Sequence, residues 1–168
     1  RQRLHGIHCV LEALRAHRRP LHRLTVRSGG SRAELAEIRK LSKEKGIPVE
    51  EQVAPLEQPE AEPTAQGVRL EVGPLPELGL FELLEIPARA PHRRLIALDG
   101  VEDPQNLGAI ARVAEAFGVD GLILTRRRSA PLSPAAARAS SGALEWLPVA
   151  RVTNLSNALK ALKKKGFW

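Results

Sequence analysis

Two short apolar runs, LIAL at 95–98 and GLIL at 121–124, bracket a segment that opens as a polar loop and continues as a helix. Strands joined through a helix cannot form a hairpin. They lie parallel, and the crossover between them is right-handed. This βαβ unit commits the second half of the chain to a layered α/β domain. Both runs read as buried strands. Ser133 and Pro134 cap and start another helix, VARV (149–152) is a third strand, and Thr153 is expected to cap a helix over 154–165. Its apolar stripe is Leu155, Leu159 and Leu162, and Lys163, Lys164 and Lys165 complement its C-terminal dipole. Gly166 ends it, and Phe167 and Trp168 read as the opening of a fourth strand. A parallel sheet that stops there is incomplete, so the chain is expected to continue. The sequence holds no methionine, so its natural start is expected to be missing too.

The first half reads as a smaller α/β unit over 1–75. Ile7, Val10, Leu11 and Leu14 recur at helical spacing, and LHRLTV (21–26) is strand-like. Ser31 is placed to cap a helix over 32–45 that Gly46 stops, with Leu35, Ile38 and Leu41 inside. IPVE reads as a short strand, EEQVAPLEQ as a short helix, and QGVRLEV (66–72) as a half-buried strand. A proline-rich linker over 76–92 follows, with LFELLEI (80–86) forming a helical turn or two. The second domain occupies 93–168.

Charge is distributed unevenly. Residues 1–30 carry seven arginines against one acid, 31–90 carry seven basic and twelve acidic residues, and 91–168 carry twelve basic and six acidic. Two basic segments around an acidic middle suggest a polyanion footprint, although a solvated surface explains charge equally well. Aromatics at 3% exclude base stacking as the main recognition mode. No apolar run approaches the roughly 18 residues that span a bilayer. The only cysteine, Cys9, excludes an internal disulfide and fits a reducing cytoplasm. His5, His8, His17, His22 and His92 lie outside metal-ligand spacing, so no metal is expected.

DGVEDPQNLGAIARVAEAFG (99–118) is the most informative stretch. Asp103 or Asn106 can serve as N-cap, with Pro104 in the first turn and Gly118 at the C-terminal end. Ile110, Val113, Ala114 and Phe117 are expected to form the core face. Arg112 then lies on another side, over Gly108 and Ala109, whose small size leaves room for a ligand beside the guanidinium. Its five donors suit a phosphate or carboxylate. The alternative is a surface pairing of Arg112 with Glu115 or Glu102. Neither a Gly-x-Gly-x-x-Gly nor a Walker loop is present, which disfavours a dinucleotide or P-loop site.

Asp103, Pro104, Asn106, Gly108, Ala109, Ile110 and Arg112 reproduce the pattern Asp-Pro-x-Asn-x-Gly-Ala-Ile-x-Arg. This resembles the first signature of the SpoU class of S-adenosylmethionine-dependent RNA ribose 2′-O-methyltransferases, within the knotted SPOUT superfamily. RASSGALEWLPVARVTNL (138–155) resembles the segment after the family's second strand, with Ser140, Gly142 and Ala143 in a Ser-x-Gly-Ala turn. HGIHCVLEAL (5–14) is similar to the start of the family's N-terminal RNA-binding domain. QGV at 66–68 follows Ala65, where relatives often carry histidine.

The resemblance implies an α/β protein with a small ribosomal-protein-like RNA-binding domain and a parallel-sheet, trefoil-knot methyltransferase domain, incomplete in this chain. It implies S-adenosylmethionine as cofactor, with the cofactor ligands expected beyond Trp168. It also implies RNA as partner, a homodimer through the methyltransferase domain, and a guanosine of bacterial large-subunit rRNA as target. Arg112 and Asn106 take the catalytic positions. Arg15, Arg18, Arg19, Arg23 and Arg27 in the first domain, and Arg126, Arg127, Arg128, Arg138 and Ser140 in the second, are the RNA-contact candidates. A tRNA methyltransferase, a non-catalytic RNA-binding module and a phosphate-metabolite enzyme remain as alternatives.

Overall fold

Alternation in the first domain resolves into a mixed four-stranded sheet in the computed structural model, which describes residues 1–27, 33–52 and 66–168. The elements are β1 (Gln2–His5), α1 (Ile7–Ala16), β2 (Leu21–Arg27), α2 (Ala33–Glu44), β3 (Val49–Gln52) and β4 (Val68–Val72), with strand order β1-β4-β2-β3. β2 and β3 are parallel and the other pairs antiparallel. Leu4, Leu24 and Leu70 pack beneath Val10 and Leu14 of α1 and Ile38 of α2. The expected short helix at EEQVAPLEQ is not what its first residues form: Glu50–Gln52 belong to β3, where β-pairing with β2 fixes them. The rest of that stretch, Ser31 and Ala65 lie outside the described residues.

The linker is a packed strap. Leu75 is buried, and Leu78 pairs with Ala150 by donating its N–H to Val149 (2.9 Å) and accepting from Arg151 (2.9 Å). α3 (Leu80–Glu85) places Leu83 against Gly121, where an added Cβ would lie 2.6 Å from its Cδ1. Asp120 then accepts the N–H groups of Arg89 (2.6 Å) and Arg94 (2.8 Å). The prolines stiffen a segment that covers the second sheet rather than spacing two free domains.

That sheet contains β5 (Leu95–Leu98), β6 (Gly121–Thr125) and β7 (Val149–Val152), all parallel, in the order β5-β6-β7. α4 (Pro104–Ala116), α5 (Pro134–Ala139) and α6 (Leu155–Lys164) accompany it. Only β6 and β7 are buried runs; β5 is an edge strand with Ala97 exposed, a correction to the expectation for LIAL. In α6 the cap is Asn154, whose side chain accepts the Asn157 N–H (2.9 Å), not Thr153. Ala158 and Leu162 carry the buried face and Leu159 is exposed. Phe167 and Trp168 form no strand; the Phe167 N–H turns back to Leu162 (3.1 Å) and its ring packs beside α6.

The face of α4 is also corrected. Of the expected face, Ala114 is buried and Ile110 half-buried, but Val113 is 58% and Phe117 70% exposed, and Leu107, Gly108 and Ala111 are buried in their place. Small residues face inward because α5 crosses there: a Cβ on Gly108 would sit 2.4 Å from Ala139 Cβ, 2.7 Å from the Ala136 carbonyl and 2.8 Å from the Ser140 nitrogen. Gly108 serves helix packing rather than ligand approach.

Candidate functional site

The loop before α4 is set by its own chemistry. Asp103 is the N-cap and accepts the N–H groups of Gln105 (3.1 Å) and Asn106 (3.3 Å), with Pro104 first in the helix. Gly118 follows the helix at φ +65°, donating its N–H to Glu115. The Ala130 N–H donates to Val101 (2.7 Å), which ties this loop to the one following β6. Both loops lie at the carboxyl ends of their strands, where open parallel sheets gather ligands.

Arg112 stands elsewhere. Eight residues past the start of α4, it is about 12 Å along the axis from that rim, and it lines a cleft of about 660 Å³ between the two domains. His8 and Glu12 of α1 form one wall; Arg112, Ser141 and Trp146 belong to the other. Asn106, in the first turn and exposed, is not among the cleft's lining residues. The structure therefore does not bring Asn106 and Arg112 to one point within this chain.

Arg112 is exposed and, among the described residues, has no hydrogen-bond or ion-pair partner. Glu115 pairs instead with Arg89 (3.1 Å). The alternative of a surface pairing is thus absent for Glu115, and none forms with Glu102. A guanidinium left open on a cleft wall is a seat for an anion.

The cleft exists because the domains are clamped. Arg19 and Glu145 form an ion pair whose side chains are wholly buried, with Arg19 Nε donating at 3.0 Å. Burial pushes the Glu145 carboxyl up, against the pull of Arg19. Arg18 donates to the Glu145 carbonyl (3.2 Å), and burial lowers its pKa. Gly142, at φ +88°, lets α1 approach: a Cβ there would lie 2.6 Å from Glu12 Cβ. Ala137 of α5 is buried in the first domain's core.

These contacts correct two RNA-contact assignments. Arg19 is a buried inter-domain residue and cannot reach RNA. Ser140 is buried; its hydroxyl donates to Ala137 (2.8 Å) and accepts from Leu144 (3.3 Å), so it builds the turn. The other candidates remain at least partly accessible. Arg15 is held by Glu12 and Glu37 (both 2.7 Å), Arg23 by Glu50 (2.7 Å), and Arg27, Arg126, Arg127 and Arg128 are exposed. Arg138 is half-buried.

Sequence reading misses Arg151. Buried in β7, it donates to Glu77 (3.0 Å), Thr125 (3.1 Å), Ala130 (2.8 Å) and the Ser129 hydroxyl. It thereby shapes the loop that presents Arg126–Arg128, in which Arg128 takes φ +50°. An arginine inside the apolar run VARV is the available signal. A second, smaller cleft of about 240 Å³ lies beside it, lined by Glu77, Arg126, Ser129 and Arg151. Both clefts are open to solvent, so neither encloses an adenosyl cofactor as a deep cofactor pocket does, although an open cleft can still offer a surface to one base of a bound strand. Among the described residues no group of three or more His, Cys, Asp or Glu could hold a metal. No described helix is long and apolar enough to cross a membrane.

Residues 93–168 match the SpoU rRNA methylase family, and residues 3–77 match the RNA 2′-O ribose methyltransferase substrate-binding family. The chain is 37% identical over 166 residues to a protein of Staphylococcus aureus (strain MSSA476) named as a TrmH family tRNA/rRNA methyltransferase, covering 97% of this chain and 66% of that protein. A Staphylococcus saprophyticus protein of the same name is 34% identical over 165 residues, with the same coverage. The chain therefore spans just under two thirds of the length of these relatives. Among solved structures, the SpoU methyltransferase AviRb from Streptomyces viridochromogenes superposes with a TM-score of 0.69 at 23% identity, over 97% of this chain and 58% of that one. An AdoMet-bound rRNA methyltransferase from Sinorhizobium meliloti gives 0.68 at 21%, over 95% and 58%. Those two likenesses concern the fold. With both halves matched by the family's two modules, the chain belongs to the SpoU rRNA methylase family.

Proposed function

We propose that the full-length protein transfers a methyl group from S-adenosylmethionine to a ribose 2′-hydroxyl of structured RNA, with a guanosine of bacterial large-subunit rRNA as the target. The observation that carries this reading is Arg112: a cation without a partner among the described residues, on the wall between a substrate-binding module and a methylase module. A guanidinium with a pKa above about 12 is a poor base. Arg112 acts instead by holding the phosphate beside the target ribose and stabilising the charge that grows on the attacking oxygen as the hydroxyl proton passes to solvent. Asn106 shapes the site from the rim of the sheet. S-adenosylmethionine supplies the methyl group, and we assign its seat to the remaining third of the relatives' length.

Arg126–Arg128 and the exposed arginines of the first domain hold RNA phosphates away from the reaction. The exposed Val113 and Phe117 of α4 support a homodimer through the methylase domain, since an apolar helix face in water calls for a partner. A single buried cysteine is in keeping with a cytoplasmic protein.

The test is methyl transfer by the full-length protein from labelled S-adenosylmethionine to protein-free large-subunit rRNA and, in parallel, to tRNA. The product is mapped by primer extension at low nucleotide concentration, which stops at 2′-O-methylated ribose. Label confined to one guanosine of the rRNA is expected. Label in tRNA alone would overturn the substrate, and label on a base rather than a ribose would overturn the reaction.

A further inference from the structure

We infer that the inter-domain cleft takes a single unpaired nucleotide whose base stacks on the Trp146 indole while its phosphate is held by Arg112. This rests on the reading of Arg112 as an RNA contact, and it adds the part of the nucleotide that the family motif leaves unaddressed.

Three observations carry it. Trp146 is 39% exposed and lines the same cleft as Arg112, so part of a large aromatic residue is accessible in one cleft with an exposed cation. Its ring is oriented rather than loose: Nε1 donates to Glu12 Oε2 at 2.7 Å, and Glu12 is itself held by Arg15 (2.7 Å). The wall opposite is fixed at a set distance, because the buried Arg19–Glu145 pair and the close approach at Gly142 lock α1 onto the turn that carries Trp146. His8 of α1 lines the same space from the first domain.

An indole held through its Nε1 edge by a carboxylate, in one cleft with a guanidinium and an imidazole, suits a flat heteroaromatic group with an attached anion. Every base has such a face, and stacking on an aromatic side chain contributes a sequence-tolerant part of single-strand binding. A base inside a helix cannot reach the ring, so the cleft selects a nucleotide that is already unpaired or has been extruded. The scarcity of aromatics in this chain rules out an extended stacking surface. It leaves room for one platform, and Trp146 occupies the place where one matters.

The experiment uses the full chain with Trp168→Phe, which leaves Trp146 as the only tryptophan of residues 1–168. A five-nucleotide single-stranded RNA with a central 2-aminopurine is titrated at about 50 mM salt, next to the same oligonucleotide with an abasic centre. Tryptophan quenching and 2-aminopurine emission are read together. The base-containing probe should quench Trp146 and bind roughly ten- to a hundredfold more tightly than the abasic one. Trp146→Ala should remove that preference, Trp146→Phe should keep most of it, and His8→Ala should lower it. Arg112→Ala should weaken both probes alike. Binding that responds to Arg112→Ala but shows neither quenching nor sensitivity to Trp146→Ala overturns the stacking and leaves the RNA reading intact. No binding of either probe overturns both. A drop for Trp146→Ala accompanied by an equal drop for the abasic probe assigns Trp146 a purely structural role and overturns the proposal.

Discussion

Gly108→Ala separates two roles that a glycine in this helix could have. If Gly108 keeps space for a ligand, alanine leaves the fold intact and adds about 1 kcal/mol through helix propensity. The structure instead places Ala139 Cβ, the Ala136 carbonyl and the Ser140 nitrogen at 2.4, 2.7 and 2.8 Å from the new methyl. Two of those three are backbone atoms. They cannot swing aside, because Ala137 of the same helix is anchored in the first domain's core and the Ser140 hydroxyl is tied at both ends. Overpacking of this kind costs about 1–3 kcal/mol, and immovable neighbours put it at the upper end. Subtracting the propensity gain leaves a net loss of about 2 kcal/mol, or a Tm lower by roughly 4–8 °C for a chain of this size. Thermal unfolding followed by circular dichroism, with urea titration as a second measure, reads it directly. A Tm that is unchanged or higher would refute the packing argument and return Gly108 to the ligand.

Other perturbations probe the clamp, the buried thiol and the arginine run. Arg19→Ala strands the Glu145 carboxylate without its partner in the domain junction and should cost about 3–5 kcal/mol, while Arg19→Met combined with Glu145→Leu should recover most of it; additive losses in urea unfolding would contradict the coupling. Burial pushes the Cys9 thiol up to about 12 from an ordinary 9.0, so above pH 9 the unfolded chain loses this proton first. Stability should then fall by about 1.4 kcal/mol per pH unit more in the wild type than in Cys9→Ala, and equal slopes in the two would refute the assignment. Replacing Arg126, Arg127 and Arg128 together by alanine should flatten the slope of log Kobs for RNA against log salt by about one unit for each phosphate no longer held; an unchanged slope would mark the run as merely solvated.

The parts of the fold that local chemistry determines are readable in the sequence. Asp103–Pro104 announces a helix start, the paired apolar runs announce a parallel sheet, and Gly118 announces a helix end, because each depends on neighbours within a few positions. The buried face of α4 is not readable, because the helix carries two apolar faces. Phe117 is the largest apolar residue of the stretch and Val113 exceeds either alanine, yet Leu107, Ala111 and Ala114 are the ones enclosed. Burial there follows from what lies opposite, not from side-chain size. The domain clamp is hidden for a different reason: Arg19 and Glu145 are 126 positions apart, and seven arginines in the first 30 residues look alike until one of them is enclosed. Arg112 carries the reverse lesson. Its motif names it, but only the fold shows that it faces the other domain rather than the loop that precedes it.

The central claim is that the Arg112 guanidinium contributes its forked donors to the reacting ribose and phosphate, and not charge alone. Arg112→Lys keeps the charge and removes the fork. In the full-length protein, rRNA affinity measured by filter binding should weaken by about tenfold or less, while single-turnover methyl transfer at saturating RNA should slow by roughly 10²–10³. Turnover close to that of the wild type, with binding unchanged, would contradict the account.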